Sequence, residues 1–164
     1  MCYNWPMIPN INKILLRMDD AVVTFLGKYA LPMARLAFGV IFIWFGGLKV
    51  LGLSPAYDLV AATVYWLTPE VIVPLIGLWE VAIGICLLYP PLTRLGLILL
   101  AGQMPATFLP LVMLPEVCFT IWPIGLTLEG QYIIKNLAVI SAAFIIGGSV
   151  KPKHRHLSRR GSLS

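Results

Sequence analysis

Four long apolar stretches constrain the fold of this 164-residue chain more than any other feature of its sequence. They cover residues 31–51, 71–89, 95–114 and 131–148, and about 20 apolar residues in a helix are enough to cross a bilayer. The composition agrees, because 59% of the residues are hydrophobic and only 12% are charged, against about 25% charged in a soluble domain. We therefore predict an all-α polytopic membrane protein, a bundle of four transmembrane helices, and exclude disordered, coiled-coil and disulfide-scaffold classes.

The distribution of lysine and arginine predicts how this bundle is oriented. These residues precede the first stretch, follow the second and fill the C-terminal tail: Lys13, Arg17, Lys28, Arg94, Lys151, Lys153, Arg155, Arg159 and Arg160. The other two connections, 52–70 and 115–130, contain acidic residues but no lysine or arginine. Since cytoplasmic loops retain positive charge, we expect both termini in the cytoplasm. The same rule accounts for the net charge of +5 without nucleic-acid binding, and attraction to anionic lipid headgroups adds to it.

Two shorter amphipathic segments complete the predicted organisation. Residues 10–26 place apolar side chains on one face, which suits a helix lying on the inner membrane surface. On the outer side, Ser54 and Pro55 resemble the start of a short amphipathic helix over 56–67. We expect an N-terminal cytoplasmic segment at 1–30, the bundle at 31–148 and a basic cytoplasmic tail at 149–164. We expect no cleavable signal peptide, because the first long apolar run begins only after about 30 residues.

Cysteine and histidine positions limit the chemistry that the chain can carry. Cys2, Cys86 and Cys118 form no C-x-x-C pair, so a disulfide relay has no motif here. We interpret Cys86 as a small core residue and Cys118 as a loop thiol, either exposed or inert. Because His154 and His156 both lie in the tail, a haem held between transmembrane histidines is excluded. We predict no metal site, and without a recognisable catalytic motif the sequence leaves open whether the protein is an enzyme.

Seven charged or amide residues fall within the predicted spans, where a charge at the bilayer centre costs about 2.5–3.5 kcal/mol. They are Arg35, Lys49, Glu80, Gln103, Gln131, Lys135 and Asn136. With the N terminus inside, Lys49 and Lys135 share the outer-leaflet depth, and Glu80 lies deeper by roughly 8–10 Å at about 1.5 Å of rise per residue. We predict a polar core, open to the outer side, that contains Glu80, Lys49, Lys135, Gln103 and Asn136, with either lysine as the partner of Glu80.

Two interpretations of this polar core stay open. The first is a binding site for an anionic or quinone-like headgroup, or a short proton path. The second is a structural ion pair whose neighbouring amides fix the register of the helices. Arg35 lies about one turn inside the first span, and we interpret it as a membrane anchor that snorkels to the surface. Pro105 and Pro110 predict a bend beside Gln103 that widens the bundle at mid-depth.

Four short motifs resemble DoxX-like membrane proteins, most closely the YkgB-type branch linked to reactive-chlorine resistance. They are residues 35–49 (RLAFGVIFIWFGGLK), 52–56 (GLSPA), 78–84 (LWEVAIG) and 130–136 (GQYIIKN). The resemblance implies a four-helix bundle in the bacterial inner membrane and a link to oxidative-stress defence. It also implies a set of signature polar positions: Lys49, Glu80, Gln131, Lys135 and Asn136. Since the chain has neither a redox cysteine pair nor a haem ligand in its spans, any redox role requires a bound quinone or a partner's cofactor.

Three functions are compatible with these features. The first is binding of a quinone or another lipophilic ligand in the polar core around Glu80. The second is a non-catalytic accessory or assembly subunit of a larger membrane complex. The third is a small transporter or proton leak, which requires a homo-oligomer because four spans form only a narrow path. The expected partners are therefore the lipid bilayer, a quinone or lipid ligand, and either a membrane-complex subunit or further copies of the chain.

Overall fold

The computed structural model describes the backbone of residues 9–150 and the side chains of residues 13–150. Most of this chain is helical, which confirms the all-α prediction. In chain order the elements are α1 (Pro9–Val50), α2 (Tyr57–Thr63), α3 (Pro69–Leu88), a 3-10 turn (Pro90–Leu92), α4 (Thr93–Phe108), α5 (Pro110–Met113), α6 (Pro115–Cys118), β1 (Phe119–Ile121), β2 (Gly125–Leu126), α7 (Leu128–Ile134) and α8 (Asn136–Gly148). The predicted structure of the tail, 149–164, lies almost wholly outside the described residues.

Within the described residues, four helical segments are long and apolar enough to cross a membrane, as the sequence predicts. They are Lys13–Val50, Pro69–Leu88, Pro90–Met113 and Leu128–Gly148. Their outer surfaces carry large exposed hydrophobic side chains, among them Trp44 at 67%, Ile98 at 68% and Phe144 at 78% exposure. Such a surface suits hydrocarbon rather than water, so length and composition together suggest a multi-pass membrane protein.

The first helix differs from its predicted form. The sequence predicts separate helices over 10–26 and 31–51, whereas α1 is one helix of 42 residues that includes Pro32. The residues between the two predicted helices, GKYA at 27–30, contain no proline or turn motif, so nothing ends the helix there. Pro32 removes one backbone hydrogen bond and its ring crowds the carbonyl of Lys28, yet α1 continues through it.

The described chain divides into two compact units between Met33 and Ala34. In the first unit, α1 presents an apolar face: Leu15, Met18, Val22 and Phe25 are between 54% and 61% exposed. The second unit contains the remaining elements and the hydrophobic core. That core is formed by Phe42, Ile83, Leu87, Leu100 and Met104, with Val139, Ile140 and Ala143 of α8 packed against it.

Glycines bring α1 and α3 into close contact in the second unit. A Cβ atom built on Gly46 would lie 2.5 Å from the carbonyl oxygen of Gly77, and one built on Gly77 would lie 2.6 Å from the carbonyl oxygen of Gly46. Gly39 and Gly84 form a second such contact seven residues away along each helix, since a Cβ on Gly84 would lie 2.6 Å from the Gly39 carbonyl. Small residues at helix crossings let backbones approach each other in this way.

The connections on the predicted outer side contain the main departures from the expected secondary structure. The helix predicted over 56–67 is shorter in the structure, where α2 covers only Tyr57–Thr63. Just before α2, Ser54 Oγ accepts a 3.2 Å hydrogen bond from Ala56 N. Within the third span, α4 ends at Phe108 and α5 begins at Pro110. Pro110 therefore interrupts the span, whereas Pro105 lies within α4.

A β-hairpin in the next connection is not predicted by the sequence. Strands β1 and β2 pair antiparallel, with Phe119 opposite Leu126, and Ile121 and Ile124 near the turn are 73% and 86% exposed. The fourth span is also divided, since α7 ends and α8 begins at Lys135.

Candidate functional site

Three polar side chains from three helices meet inside the second unit, and we call them the polar triad: Lys49 of α1, Glu80 of α3 and Gln103 of α4. Lys49 Nζ donates a 2.6 Å hydrogen bond to Glu80 Oε2 and forms a salt bridge with it. Gln103 Nε2 donates a 2.8 Å hydrogen bond to the other carboxylate oxygen, Oε1. Lys49 and Glu80 are each only 8% exposed, so the ion pair is buried. The triad thus links three of the four spanning-length helices.

The close approach of α1 and α3 explains how the ion pair forms. Lys49 and Glu80 each follow, by three residues, one of the glycines at the closest contact, Gly46 and Gly77. A Cβ on Gly46 would lie 2.9 Å from Glu80 Cβ, and a Cβ on Gly77 would lie 2.8 Å from Lys49 Cβ. Each glycine therefore makes room for the charged residue of the opposite helix.

The geometry of the polar triad offsets part of the cost of burying Lys49 and Glu80. A buried carboxylate or ammonium alone loses several kcal/mol of hydration, and mutual attraction repays this only with good geometry and further hydrogen bonds. Glu80 meets both conditions, since each of its oxygens accepts one short hydrogen bond. The amide of Gln103 donates the hydrogen bond to the carboxylate oxygen that does not contact Lys49.

One polar atom of the triad lacks a partner. Gln103 Oε1 is buried and accepts no hydrogen bond from any of the described residues. Because the Glu80 carboxylate accepts hydrogen bonds but does not donate them, the amide must turn its NH₂ group towards Glu80 and its oxygen away. A buried acceptor without a donor costs about 1–3 kcal/mol, so this oxygen is the one uncompensated polar atom among the side chains of the triad.

A groove lies between α3 and α4 next to the polar triad. This α3–α4 groove has a volume of about 210 Å³ and is lined by Leu75, Ile76, Trp79, Gly102, Gln103 and Ala106. Trp79 is held in place by a 3.1 Å hydrogen bond from its Nε1 to the carbonyl oxygen of Leu99 on α4. Gly102 leaves space on the wall, since the nearest side-chain atom to a Cβ there is 3.8 Å away, on Trp79. The groove is apolar apart from the amide of Gln103 and the indole nitrogen of Trp79.

The other predicted members of the polar core lie elsewhere. Lys135 is exposed at the junction of α7 and α8, with its Nζ 5.7 Å from the centre of the Tyr132 ring. The Asn136 amide donates to the carbonyl oxygens of Tyr132 and Ile133, in its own part of the chain. Gln131, a signature position implied by the resemblance but outside the predicted five-residue core, is exposed on α7. The predicted five-residue core is therefore corrected to three residues, with Lys49 rather than Lys135 as the partner of Glu80.

Arg35 has a different role from the predicted one. Its side chain does not extend to a surface as an anchor: Nε donates a 3.0 Å hydrogen bond to the Leu87 carbonyl, and a terminal nitrogen donates a 2.6 Å bond to Thr93 Oγ1. Thr93 Oγ1 in turn donates to the Pro90 carbonyl at 2.9 Å. The carbonyls at the end of α3 lack helical partners, so Arg35 satisfies one of them and ties α1 to the α3–α4 turn.

Within the described residues, neither the cysteines nor the side chains that commonly bind metals form an alternative site. Residues 13–150 contain no cluster of three or more His, Cys, Asp or Glu side chains that suits a metal ion. Cys86 is 6% exposed and Cys118 is fully buried, so the interpretation of Cys118 as an exposed loop thiol is wrong. Burial raises the pKa of the Cys118 thiol, and the carboxylates of Glu129 and Glu116 raise it further. Cys2, His154 and His156 lie outside the described residues.

Sequence reasoning misses two parts of the site. It does not single out Trp79, which looks like one more apolar residue in a span. It also misses the glycine contacts, although a signal for them is present: Gly46 and Gly77 stand at the same spacing from Lys49 and Glu80. Two charged residues, each three positions after a glycine on different spans, indicate helices close enough for an ion pair.

Comparisons of the chain with protein-family models, with curated proteins and with solved structures found no match. The functional argument therefore depends on the polar triad, the α3–α4 groove and the motifs of the sequence.

Proposed function

We propose that this chain is a DoxX-like multi-pass protein of the bacterial inner membrane that binds a quinone or another lipophilic ligand in the α3–α4 groove, as part of oxidative-stress defence. The observation that carries the proposal is the position of this groove: it is apolar, and it shares Gln103 with a buried, fully paired carboxylate. Ligand pockets typically combine apolar walls with a few fixed polar groups in this manner.

The residues of the groove fit the head of a quinone-like molecule. Trp79 offers a flat aromatic surface of the kind on which rings stack, and Gln103 offers an amide for hydrogen bonding. The aliphatic walls, including Leu75 and Ile76, suit the beginning of an isoprenoid or acyl tail. A quinone would supply the redox chemistry, whereas the residues of this chain bind the ring, orient it and keep water away.

The polar triad has a supporting role in this proposal. Lys49 forms a salt bridge with Glu80, and Glu80 fixes the orientation of the Gln103 amide. Two of the signature positions implied by the DoxX resemblance, Lys49 and Glu80, are thus in direct contact with each other. The other three, Gln131, Lys135 and Asn136, lie elsewhere on α7 and α8.

The proposal is tested by identifying what co-purifies with the full chain from bacterial membranes by native mass spectrometry. The groove variant Gly102→Leu places a large side chain where the wall has space. Its matched control, Gly148→Leu, changes a glycine that has no atom within 4 Å of a built Cβ. We expect a quinone or lipid ligand on the wild type and on Gly148→Leu, and its loss from Gly102→Leu while the variant remains folded.

Two outcomes contradict the proposal. One is a wild-type protein that carries no small molecule but a stoichiometric membrane subunit, which favours the accessory-subunit function instead. The other is a bound ligand that persists at the wild-type level in Gly102→Leu, since that ligand then lies outside the α3–α4 groove. Far-UV circular dichroism and gel filtration of each variant show whether it is folded.

A further inference from the structure

An apolar stripe in the first half of α1 has the spacing of a two-stranded coiled coil. Its residues follow one another at alternating intervals of three and four positions, like the a and d positions of a heptad. Side chains at this spacing lie on one face of a helix, and here they are between 40% and 61% exposed. We call this stripe the α1 seam, and it consists of Leu15, Met18, Val22, Phe25 and Tyr29.

The length of α1 places the seam beyond the part of the helix that a bilayer needs. α1 has 42 residues and is therefore about 63 Å long, whereas the hydrocarbon core of a bilayer is about 30 Å thick. The apolar stretch predicted to cross the bilayer begins only at residue 31. The seam precedes it and lies among charged residues, where an exposed apolar face indicates a contact surface. These charged residues are Lys13, Arg17, Asp19, Asp20 and Lys28.

The two flanks of the seam carry opposite charges. At about 100° of rotation per residue, Asp19 lies about 80° to one side of the centre of the seam, and Arg17 and Lys28 lie about 100–120° to the other side. Lys28 borders the seam, since its Nζ is 5.3 Å from the centre of the Tyr29 ring. In a parallel pair of identical helices each flank faces the opposite flank of the partner, so acid meets base. An antiparallel pair would bring like charges together.

We infer that the α1 seam binds the same seam of a second copy of this chain, in a parallel two-helix contact. Two copies inserted in the same sense in one membrane have parallel helices, and their spans act as tethers that raise the effective concentration of one seam at the other. The rings of Phe25 and Tyr29 lie 4.7 Å apart, so each copy contributes two neighbouring aromatic side chains. This contact is separate from ligand binding in the α3–α4 groove.

A second copy fits the seam better than the inner membrane surface, on which the sequence predicts that residues 10–26 lie. Helices that lie on anionic membranes carry lysine and arginine on their polar face. Here Asp19 borders the apolar face, so it would lie among negatively charged headgroups. The same carboxylate lies next to the basic flank of the partner in a parallel pair.

Two neighbouring valines provide a matched test by oxidative cross-linking. Val22 is on the seam and Val23 points about 120° away from its centre, yet the two are 54% and 60% exposed. Each is replaced by cysteine in the full chain, in a background without the native cysteines, and bacterial membranes are oxidised with copper phenanthroline. We expect Val22→Cys to form disulfide-linked dimers and Val23→Cys to remain monomeric, because only the seam brings the two Cβ atoms within disulfide distance.

Two neighbouring aspartates test the charge pairing. Asp19→Arg and Asp20→Arg make the same change at exposed positions, but Asp20 lies on the side of the helix opposite the seam. We expect Asp19→Arg to raise the dissociation constant of the dimer about tenfold, because it turns attraction into repulsion at two symmetry-related places. Asp20→Arg leaves the constant unchanged, and adding Arg17→Asp to Asp19→Arg restores the dimer. Sedimentation equilibrium in detergent micelles measures all of these variants.

Three outcomes overturn the inference. The first is equal cross-linking of Val22→Cys and Val23→Cys, and the second is no cross-linking of either, as expected for a helix that lies on the membrane or binds a different protein. The third is a dimer that Asp19→Arg and Asp20→Arg affect equally. The valine comparison changes no charge, so it remains decisive whatever the arginine variants do to folding.

Discussion

At the scale of single residues, Arg35 and Thr93 show how a charged side chain near the end of a span is used inside the protein. Arg35 donates hydrogen bonds to the Leu87 carbonyl and to Thr93, and the Thr93 hydroxyl donates to the Pro90 carbonyl. Thr93 is only 2% exposed, so water does not replace these bonds when the hydroxyl is lost. The network holds α1 against the turn that joins α3 to α4.

We expect Thr93→Val to destabilise the protein by about 1–3 kcal/mol, because it leaves Arg35 and the Pro90 carbonyl each short of a partner while the side-chain shape is retained. The control is Thr68→Val, which makes the same replacement at an exposed threonine whose side chain makes no cap hydrogen bond. The free energy of unfolding of each variant is measured in mixed micelles with an increasing fraction of denaturing detergent. Equal stability of the two variants would show that the network contributes nothing.

The polar triad also shows what can be predicted at this scale from sequence. That Glu80 has a lysine partner follows from the cost of a lone charge in a span. Which lysine it is does not follow, since Lys49 and Lys135 have the same expected depth. The glycines favour Lys49, because Gly46 and Gly77 bring α1 close to α3 at the position of Glu80. Lys135 instead lies at a helix junction, exposed beside Tyr132.

At the scale of elements, the packing of α1 on α3 is the contact that most directly determines the site. Replacing Gly46 with alanine would place a methyl group 2.5 Å from a backbone carbonyl, so the helices must separate. Overpacking of this kind costs about 1–3 kcal/mol. It also moves Lys49 away from Glu80, which weakens the ion pair in addition.

We therefore expect Gly46→Ala to lower stability by at least that amount, whereas its neighbour Gly47 provides a matched control. A Cβ on Gly47 has no atom within 4 Å, so Gly47→Ala is expected to be neutral or slightly stabilising through its higher helix propensity. Detergent-induced unfolding followed by circular dichroism compares the two alanines. A Gly46→Ala protein as stable as Gly47→Ala would contradict the close packing of α1 and α3.

The elements differ in how well their sequences predict them. The spanning-length helices follow from apolar length alone, so the prediction of 71–89 agrees with Pro69–Leu88 to within two residues at each end. The hairpin of β1 and β2 is missed because its strands have three and two residues, too few to show an alternating pattern. The continuity of α1 is missed because charge on residues 13–28 resembles a separate surface helix.

At the scale of the whole molecule, the four apolar helices and the bias of positive charge lead to one predicted topology, with both termini in the cytoplasm. The hairpin then lies on the outer side of the membrane. Ile124, near its turn, is 86% exposed and is a suitable position for a reporter. Cys118 is not suitable, since it is fully buried and its thiol has a raised pKa.

We expect a membrane-impermeant maleimide to label Ile124→Cys on intact bacterial cells, in a background where the native cysteines are replaced. Lys28→Cys, predicted to be on the inner side, serves as the control and is expected to react only after lysis. The opposite pattern, with Lys28→Cys labelled on intact cells, would reverse the topology. Restoring Cys118 alone is expected to add little labelling even after lysis, because its thiol is enclosed and mostly protonated.

The central claim of this account is that a buried lysine–glutamate pair joins two spanning-length helices and organises the site between them. A double-mutant cycle tests it most directly: Lys49→Met, Glu80→Gln and the combined variant, with Glu70→Gln as the control at an exposed glutamate of the same helix. Each single variant leaves a polar group uncompensated, so we expect a loss of about 3–5 kcal/mol for each and almost none for Glu70→Gln.

The free energies of unfolding of the four variants, measured in the same micelles as the wild type, give the result. The loss of unfolding free energy in the combined variant is expected to be at least about 2 kcal/mol smaller than the sum of the two single losses. The reason is that the combined variant leaves no buried charge without its partner. Losses that add to within about 0.5 kcal/mol would contradict it, since Lys49 and Glu80 would then not be energetically coupled.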